Sequence, residues 1–315
     1  MVLASRLGNT RLGLARSLGR STLRRNASGS TSTKVRPLVD PNSTTHRTFH
    51  QRSPNTSHTA VTHPPLEASS LPSFTATNIV DTYARAPLVL SHGKGSWLYT
   101  TTGEKYLDFT AGIAVNALGH ADAEFARTLG EQAGKLIHSS NVFHNEWAGQ
   151  LATLIVDVTK KHGGLGLRDG ADAKVFFTSS GTEANEGALK FARKIAKERY
   201  AAKHPESEKP YEDCKQIRFA CFQNAFHGRS MGALSATTNP KYQAPFAPLI
   251  PGFDVGELND HEALRSLITE DTCGVIVEPV QGEGGLAVCE ESWLRALRKR
   301  CDDVGAVLIF DEVQV

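Results

Sequence analysis

The sequence predicts an α/β fold with a mainly parallel sheet and helices on both of its faces. In the C-terminal half, apolar segments with strand character alternate with amphipathic helical segments, which is the pattern of βαβ units. Apolar residues make up 40% of the 315 and charged residues 22%, as in proteins with a sizeable core. Several predicted strands run directly into Gly or polar residues, as they do where parallel strands end at a ligand.

Two shorter patterns precede these units. PLVLSHGKGSWLYTTTGEKYLDFTAG alternates apolar residues with Gly turns, which predicts short antiparallel strands around Trp97–Tyr99 and Tyr106–Phe109. ADAEFARTLGEQAGKL and NEWAGQLATLIVDVTKKHG then have helical spacing. We therefore expect residues 78–137 to form the N-terminal segment of a small α+β domain and residues 138–315 to form part of a large domain.

The later elements alternate regularly. The predicted strands are Val175–Thr178, Ile217–Phe222, Val275–Glu278 and Val307–Phe310. The predicted helices are Glu183–Tyr200, His261–Ile268 and Glu291–Cys301. The segment between Gly228 and Leu258 is long and rich in Pro and Gly, so we expect a functional loop there.

Residues 1–77 are predicted to be a targeting segment followed by a disordered linker. Residues 1–39 contain no Asp or Glu, and their Leu and Arg residues separate onto opposite faces of a helical wheel. An amphipathic, Arg-rich and Ser-rich start is typical of a mitochondrial transit peptide. A merely disordered basic tail is the alternative.

Composition excludes several classes of function. Residues 67–315 hold 25 basic and 32 acidic residues, which argues against nucleic-acid binding. The sequence has no run of eighteen apolar residues, so we expect no membrane span. The five Cys residues form no CxxC pair and lack metal-ligand spacing, which indicates reduced core thiols and no metal site.

The first motif that carries chemistry is FFTSSGTEANEGALKFARK. An apolar strand leads through Ser179–Thr182 into a helix, whose free N–H groups and dipole suit a phosphate. The motif is neither GxGxxG nor GxxxxGK[ST], which argues against a dinucleotide site or a P-loop. An ordinary N-capped helix is the alternative.

Three further motifs stand at strand ends. In NAFHGRSMGALS, Phe226 can cover a flat ring and Arg229 can clamp a carboxylate, although a packing aromatic and a solvated Arg are the alternatives. VIVEPVQGEGG is either a Gly-rich ligand loop or a turn with solvated acids. In VLIFDEVQV, Asp311 needs a cationic partner such as a protonated pyridine nitrogen, unless it is a helix cap or a Walker-B-like Asp. Together the four motifs fit a flat, phosphorylated, protonatable ring.

At this point a family resemblance emerges. SGTEANEGALKFARK, FHGRSMGALSAT, EPVQGEGG and FDEVQ occur in an order and at spacings that resemble class III aminotransferases of PLP fold type I. YLDFTAGIAVNALGHA, HSSNVFHNEWAGQLA and NPKYQAPFAPLIPGF resemble the acetylornithine branch of that family. The resemblance covers about Ile79 to Gln314. It implies pyridoxal 5′-phosphate (PLP) as the cofactor, a homodimer, and a partial PLP-binding domain in residues 138–315.

The resemblance also implies roles for the cofactor-binding residues. Gly181 and Thr182 would bind the phosphate of PLP, and Phe226 would lie against its pyridine ring. Asp311 would hold the ring nitrogen, and Gln314 would hydrogen-bond the phenolic oxygen.

Four other residues match substrate-binding positions of the family. Arg229 would hold the substrate α-carboxylate. Glu283 matches an acid that pairs with a downstream Arg in related ornithine enzymes. Ser140 and Asn141 match a stretch near the substrate end of the site.

The reaction implied by the resemblance is amino transfer from N-acetylornithine to 2-oxoglutarate, which gives N-acetylglutamate semialdehyde and glutamate. In a mitochondrial protein this belongs to arginine biosynthesis in the matrix. The family's base is a Schiff-base Lys that follows the DEVQ motif, and Val315 replaces the usual Thr, Ser or Cys there. Lys190, Lys194 and Lys241 lack the strand-end context of that Lys. We therefore expect a C-terminally truncated product that binds PLP without a covalent link and does not transaminate.

Several alternatives stay open. Ornithine, succinylornithine and 4-aminobutyrate aminotransferases share the core motifs. A non-catalytic partner that pairs with an intact subunit is a further alternative. A nucleotide-binding domain is disfavoured, because the chain lacks a phosphate-loop Lys and a suitably spaced ribose-binding acid.

Overall fold

The computed structural model describes residues 79–86, 88–164 and 173–314. The chain divides into two compact units at residue 130, within the helix that spans this point, and we describe each unit by itself. The predicted targeting segment and linker lie outside the described residues, and the domain boundary expected near residue 137 stays a prediction. Across the described ranges, no helix combines the length and apolarity that a membrane crossing requires.

The first unit contains a small antiparallel sheet. Its strands β1 (Leu90–Lys94), β2 (Trp97–Thr100) and β3 (Lys105–Leu107) pair in that order. Gly95 and Gly103 stand in the two connecting turns at positive φ, which a residue with a side chain adopts only under strain. The antiparallel pairing of β2 and β3 agrees with the sequence pattern, whereas β1 was not predicted.

The helices and the remaining strands follow in chain order. The described helices are α1 (Ala123–Ala133), α2 (Glu146–Lys161), α3 (Gly181–Lys203), α4 (Pro210–Asp213), α5 (Met231–Ala236), α6 (Pro240–Gln243), α7 (Leu264–Leu267) and α8 (Glu291–Val304). The described strands of the second unit are β4 (Arg218–Phe222), β5 (Phe253–Gly256), β6 (Thr272–Val277), β7 (Val280–Gln281), β8 (Ala287–Val288) and β9 (Val307–Phe310). A short 3-10 turn, Ala244–Phe246, follows α6.

The main sheet has the order β5-β4-β6-β9, and each neighbouring pair is parallel. The chain passes from β4 to β5 on one side, and then continues through β6 to β9 on the other. The carboxyl ends of β4 and β6 therefore flank a topological switch point, where open α/β sheets bind ligands. The predicted mainly parallel sheet is confirmed.

Apolar residues on both faces of the sheet are covered by helices. On one face, Phe222 and Val275 pack with Trp293 and Leu297 of α8. On the other face, Phe219 and Ile276 pack with buried Ala and Leu residues of α3. The two central strands, β4 and β6, are buried on both sides, which explains why they appear in the sequence as continuous apolar runs. All five Cys residues are buried and free, as predicted.

The prediction of a strand at Val175–Thr178 is wrong. This segment has no strand assignment, and Phe176 and Phe177 remain 45% and 44% exposed. Phe176 packs edge-on against Phe191 of α3, with ring centroids 5.3 Å apart. An apolar run becomes a strand only if a neighbouring strand pairs with its backbone hydrogen-bonding groups. Here the side chain of Phe176 packs on α3 instead.

Two other local predictions need correction. The helix expected at His261–Ile268 is reduced to the single turn of α7, which follows the turn built on Asp260. The expected loop between Gly228 and Leu258 contains α5, α6 and strand β5. Pro240 begins α6, Gly252 directly precedes β5, and Gly256 ends β5.

Candidate active site

The four motifs meet at the carboxyl edge of the main sheet. The β4 loop (residues 223–230) and the end of β6 are joined by a hydrogen bond from the Phe226 N–H to Glu278 Oε2, at 3.0 Å. The end of β9 meets α3 through Asn185, whose Nδ2 donates to Asp311 Oδ2 at 2.8 Å. The parallel order of the strands thus brings together residues that lie up to 126 positions apart in sequence.

Asp311 is the buried centre of this cluster. Its Oδ2 accepts from Asn185 and lies 2.7 Å from Nδ1 of His227, whose side chain is fully buried. Its Oδ1 accepts the Val313 N–H at 3.2 Å. Burial alone would raise the pKa of Asp311, but the hydrogen bonds from His227 and Asn185 bring the pKa below its ordinary value. Asp311 is therefore a carboxylate at neutral pH.

The N-terminus of α3 forms the second part of the cluster. Ser180 caps the helix by accepting the Glu183 N–H at 3.3 Å, and Glu183 accepts the Ser179 N–H at 2.8 Å in return. The N–H groups of Ser179 and Glu183 therefore already have acceptors. The first-turn N–H groups of Gly181 and Thr182 have no intrahelical partner, because the first four N–H groups of any helix have none. The predicted N-cap alternative and an anion-binding helix end are thus compatible.

The β4 loop packs very closely on this helix end. Thr182 Oγ1 lies 2.7 Å from Ser230 Oγ and accepts the Ser230 N–H at 3.2 Å. Gly228 has a φ of +131°, and a Cβ added to it would lie 2.3 Å from Thr182 Oγ1. Gly181 is similarly close to Val313, where an added Cβ would lie 2.9 Å from the Val313 side chain. The Gly residues therefore permit three chain segments to converge.

A more exposed group of side chains lies beside Phe226. The guanidinium of Arg229 stacks over the Tyr242 ring, 3.8 Å from its centroid, and the Phe226 and Tyr242 rings meet edge-on at 5.8 Å. The Tyr242 hydroxyl donates to Glu283, and this bond raises the pKa of Tyr242. The structure thus connects Arg229 and Glu283, two of the four residues expected to bind substrate, through Tyr242.

The Gly-rich loop after β6 lies against the end of the chain. Glu278 is buried, and burial raises the pKa of its carboxyl. Gln281 is buried as well and donates to the Gln223 carbonyl at 2.8 Å. A Cβ added to Gly282 would lie 3.7 Å from the Cβ of Gln314, so the loop and the predicted cofactor residue Gln314 are neighbours.

Ser140 and Asn141 are not part of this cluster. Both are exposed in the segment between α1 and α2, and Ser140 bonds to its own neighbours Val142 and Phe143. None of the hydrogen bonds found among the described residues connects either one to the strand ends. Their predicted proximity to the substrate stays a prediction.

A comparison with protein families shows which family the chain belongs to. Residues 80–315 match the family model described as Aminotransferase class-III. The chain belongs to the class III aminotransferases. Members of this family are PLP-dependent enzymes, so PLP is the cofactor to test against the cluster.

Known relatives and solved structures agree with the family. The chain is 53% identical over 236 residues to a protein named acetylornithine aminotransferase, mitochondrial, from Neurospora crassa, covering 75% of this chain and 48% of the relative. It is 52% identical to the protein of the same name from Yarrowia lipolytica, covering 75% and 53%. Ornithine aminotransferase from Toxoplasma gondii, crystallised with partial occupancy of PLP, aligns with a TM-score of 0.65 at 28% identity, covering 79% and 54%. The chain spans about half the length of these curated relatives.

The chemistry of the residues present fits PLP, a phosphorylated ring with a protonatable nitrogen. The end of α3 offers N–H groups and the hydroxyls of Thr182 and Ser230 to a phosphate. Asp311 Oδ2 already has two partners, whereas Oδ1 has a single long bond and retains a lone pair for a ring N–H. A buried carboxylate with spare acceptor capacity is the group that a protonated pyridine nitrogen requires.

Several residues of the cluster had no predicted role, among them Ser230, which contacts Thr182. Asn185 and His227 both contact Asp311, and Tyr242 lies between Arg229 and Glu283. Asn185 follows Thr182 by three positions, so it lies on the same helix face, and this spacing was a usable signal. His227 stands inside a motif at a strand end, next to Phe226. Tyr242 gave no such signal, because its position depends on how α6 folds back.

Proposed function

We propose that this class III aminotransferase binds PLP at the carboxyl edge of its main sheet and belongs to the acetylornithine branch of the family. The proposal assigns N-acetylornithine as amino donor and 2-oxoglutarate as acceptor, in arginine biosynthesis in the mitochondrial matrix. The names and high identities of the Neurospora crassa and Yarrowia lipolytica relatives support both the substrate and the compartment.

One observation carries the PLP site: the helix whose N-terminus can bind the phosphate, α3, also contacts the buried carboxylate of Asp311. Asn185 of α3 donates to Asp311, and Thr182 at the start of the same helix lies three residues earlier. Three residues correspond to a rise of about 4.5 Å along an α-helix. The spacing suits a small ring that carries a phosphate at one end and a basic nitrogen at the other.

In this proposal each residue has a defined task. Gly181 and Thr182 hold the phosphate, Phe226 lies against the ring, and Asp311 keeps a proton on the ring nitrogen. Gln314 hydrogen-bonds the phenolic oxygen. PLP, once bound, supplies an electron sink for negative charge that develops on the substrate carbon. Because Asp311 is buried and ionised, it stabilises the positive ring nitrogen on which that sink depends.

The substrate groups are assigned to the more exposed side of the cluster. Arg229 clamps a carboxylate with two parallel hydrogen bonds, and Tyr242 supports its guanidinium, which lies over the Tyr242 ring. Glu283 accepts a hydrogen bond from the hydroxyl of Tyr242, and this places its negative charge near the positive charge of Arg229. Ornithine, succinylornithine and 4-aminobutyrate are the alternative donors. We expect a homodimer for the full-length protein, and a non-catalytic partner that pairs with an intact subunit is the alternative for this chain.

We predict that the 315-residue chain binds PLP without a covalent lysine linkage. Lys190 and Lys241 are exposed, and the Nζ of Lys194 is 2.9 Å from Glu198 on the surface of α3. None of these three has the buried, strand-end position that a reactive amine needs. After incubation with PLP, borohydride reduction and peptide mass spectrometry, we expect only scattered, substoichiometric lysine labelling and no turnover of N-acetylornithine with 2-oxoglutarate.

Pyridoxal is the control for the contribution of the phosphate. Pyridoxal, which lacks the phosphate, should label the same exposed lysines to a similar extent but should bind the chain more weakly in a fluorescence titration. One lysine labelled close to stoichiometrically by PLP and not by pyridoxal would contradict the prediction. Equal binding of PLP and pyridoxal would contradict the proposed phosphate site.

A further inference from the structure

The strongest unexplained feature of the molecule is the environment of His227. Its side chain is fully buried, Nδ1 lies 2.7 Å from Asp311 Oδ2, and Nε2 is buried without a hydrogen-bond partner among the described residues. Buried polar atoms without partners are rare in folded proteins. A residue held in such a position at the centre of a site needs an explanation.

The backbone around His227 is fixed independently of its ring. The His227 N–H donates to Thr237 Oγ1 at 2.8 Å, and its carbonyl accepts from Asn185 Nδ2 at 2.7 Å. Asn185 therefore donates to both His227 and Asp311. This arrangement holds the imidazole and the carboxylate in one rigid unit, and neither can move without breaking bonds to the other.

We propose that His227 and Asn185 are positioning residues that orient Asp311 toward the cofactor nitrogen, with the Nδ1–H of His227 and the Nδ2–H of Asn185 both donating to Oδ2. The two residues occupy Oδ2 and leave Oδ1 to receive the ring N–H. The inference rests on the PLP site proposed above and goes beyond it, because it concerns groups that do not touch the cofactor.

The bond to Asp311 fixes the role of one ring nitrogen. Because a carboxylate only accepts hydrogen bonds, Nδ1 of His227 carries the proton that lies between it and Asp311 Oδ2. Within the described residues, the charged groups facing His227 are Asp311 at the end of β9 and Glu278 at the end of β6.

The first test concerns the tautomer and needs no cofactor. The full 315-residue chain, labelled with ¹⁵N-histidine, is examined by long-range ¹H–¹⁵N NMR between pH 6 and 8, with the His227 signals assigned from the His227→Asn variant. We expect a proton on Nδ1, as the bond to Asp311 Oδ2 requires. A ring that carries its proton on Nε2 and none on Nδ1 would overturn the donor role of His227.

The second test measures the effect of His227 on binding of the ring nitrogen. Affinities are measured for PLP and for a PLP analogue with CH in place of the ring nitrogen. The His227→Asn variant keeps an amide donor near the Nδ1 position, whereas His227→Leu has no donor and His227→Gln places its amide at the Nε2 end. We expect wild type and H227N to prefer PLP over the analogue, and H227L and H227Q to lose about tenfold or more of that preference.

The outcomes separate this inference from the proposed function. If the wild-type chain binds PLP and the analogue equally, or binds neither, the proposed contact between Asp311 and the ring nitrogen is wrong. If wild type discriminates and H227Q discriminates equally well, the PLP site stands and the positioning role of His227 is wrong. The Asn185→Ala variant, like H227Q, should lose part of the preference for PLP over the analogue. An unchanged preference in this variant would show that Asn185 has no positioning role. His261→Leu, which changes a partly exposed His outside the site, serves as the control.

Discussion

The Asp311→Ala variant is expected to lose about 2–6 kcal/mol of unfolding free energy, because it leaves two buried donors without an acceptor. His227 Nδ1 and Asn185 Nδ2 both lie within hydrogen-bond distance of Asp311 Oδ2, and both residues are buried. Each unsatisfied buried donor costs about 1–3 kcal/mol. Urea unfolding of the 315-residue chain, followed by circular dichroism, measures the difference. The variant should also lose the preference for PLP over the analogue without a ring nitrogen.

An exposed aspartate provides the control for this variant. Asp303 pairs with Lys299 on the surface of α8 at 2.9 Å, and both side chains are at least 47% exposed. An exposed pair of this kind contributes about 0.5 kcal/mol. If Asp303→Ala and Asp311→Ala shift the unfolding midpoint equally, the buried network does not stabilise the fold.

The stability contributed by Asp311 should also depend on pH. Its pKa in the folded chain lies below the ordinary value of 3.8, so the unfolded state binds more protons as the pH falls. The contribution is therefore complete above the ordinary pKa and is lost as the pH falls through the folded value. Relative to Asp311→Asn, which cannot ionise, the wild-type advantage should be constant above about pH 5 and shrink below it. An advantage that grows on acidification would contradict the assignment.

The sequence was sufficient to predict much of the sheet and the edge at which the site lies. Strand β9 has the predicted bounds Val307–Phe310, and α3 extends the predicted helix by only two or three residues at each end. These elements are long or strongly apolar, so periodicity alone identifies them. Once the strands are known to be parallel, their carboxyl ends must share one edge. Asp311, Phe226 and Glu278 follow strands and therefore lie there.

Other features depend on contacts that no local pattern encodes. The order β5-β4-β6-β9 decides which loops flank the switch point, and the sequence does not say on which side of β4 each later strand pairs. The segment Val175–Thr178 has strand composition, yet Phe176 packs on α3. The contact of Tyr242 with Arg229 and Glu283 joins three separate segments. Such contacts arise only when short helices fold back onto the sheet.

The Gly228→Ala variant tests the close approach of the β4 loop to α3. The φ of Gly228 is +131°, a region that costs a non-Gly residue about 1–3 kcal/mol. The new Cβ would also lie 2.3 Å from Thr182 Oγ1 and 2.6 Å from Thr182 Cβ. Relief of such overpacking typically costs about another 1–3 kcal/mol. We expect a total loss of about 2–6 kcal/mol in urea unfolding, together with weaker PLP binding, because the loop must move away from the helix end.

Two further variants separate the backbone contribution from the steric one. Gly252 has a φ of +97°, and no heavy atom of the described residues beyond its chain neighbours lies within 4 Å of the position that a Cβ would take. Gly252→Ala should therefore show the backbone cost alone and leave PLP affinity unchanged. In a Thr182→Gly background the two nearest contacting atoms are absent, so Gly228→Ala should destabilise the chain by about 1–3 kcal/mol less than it does in wild type. An equal cost in both backgrounds would mean that Gly228 is required for its backbone conformation only. The close contact between Gly228 and Thr182 would then not be the reason that position 228 requires Gly.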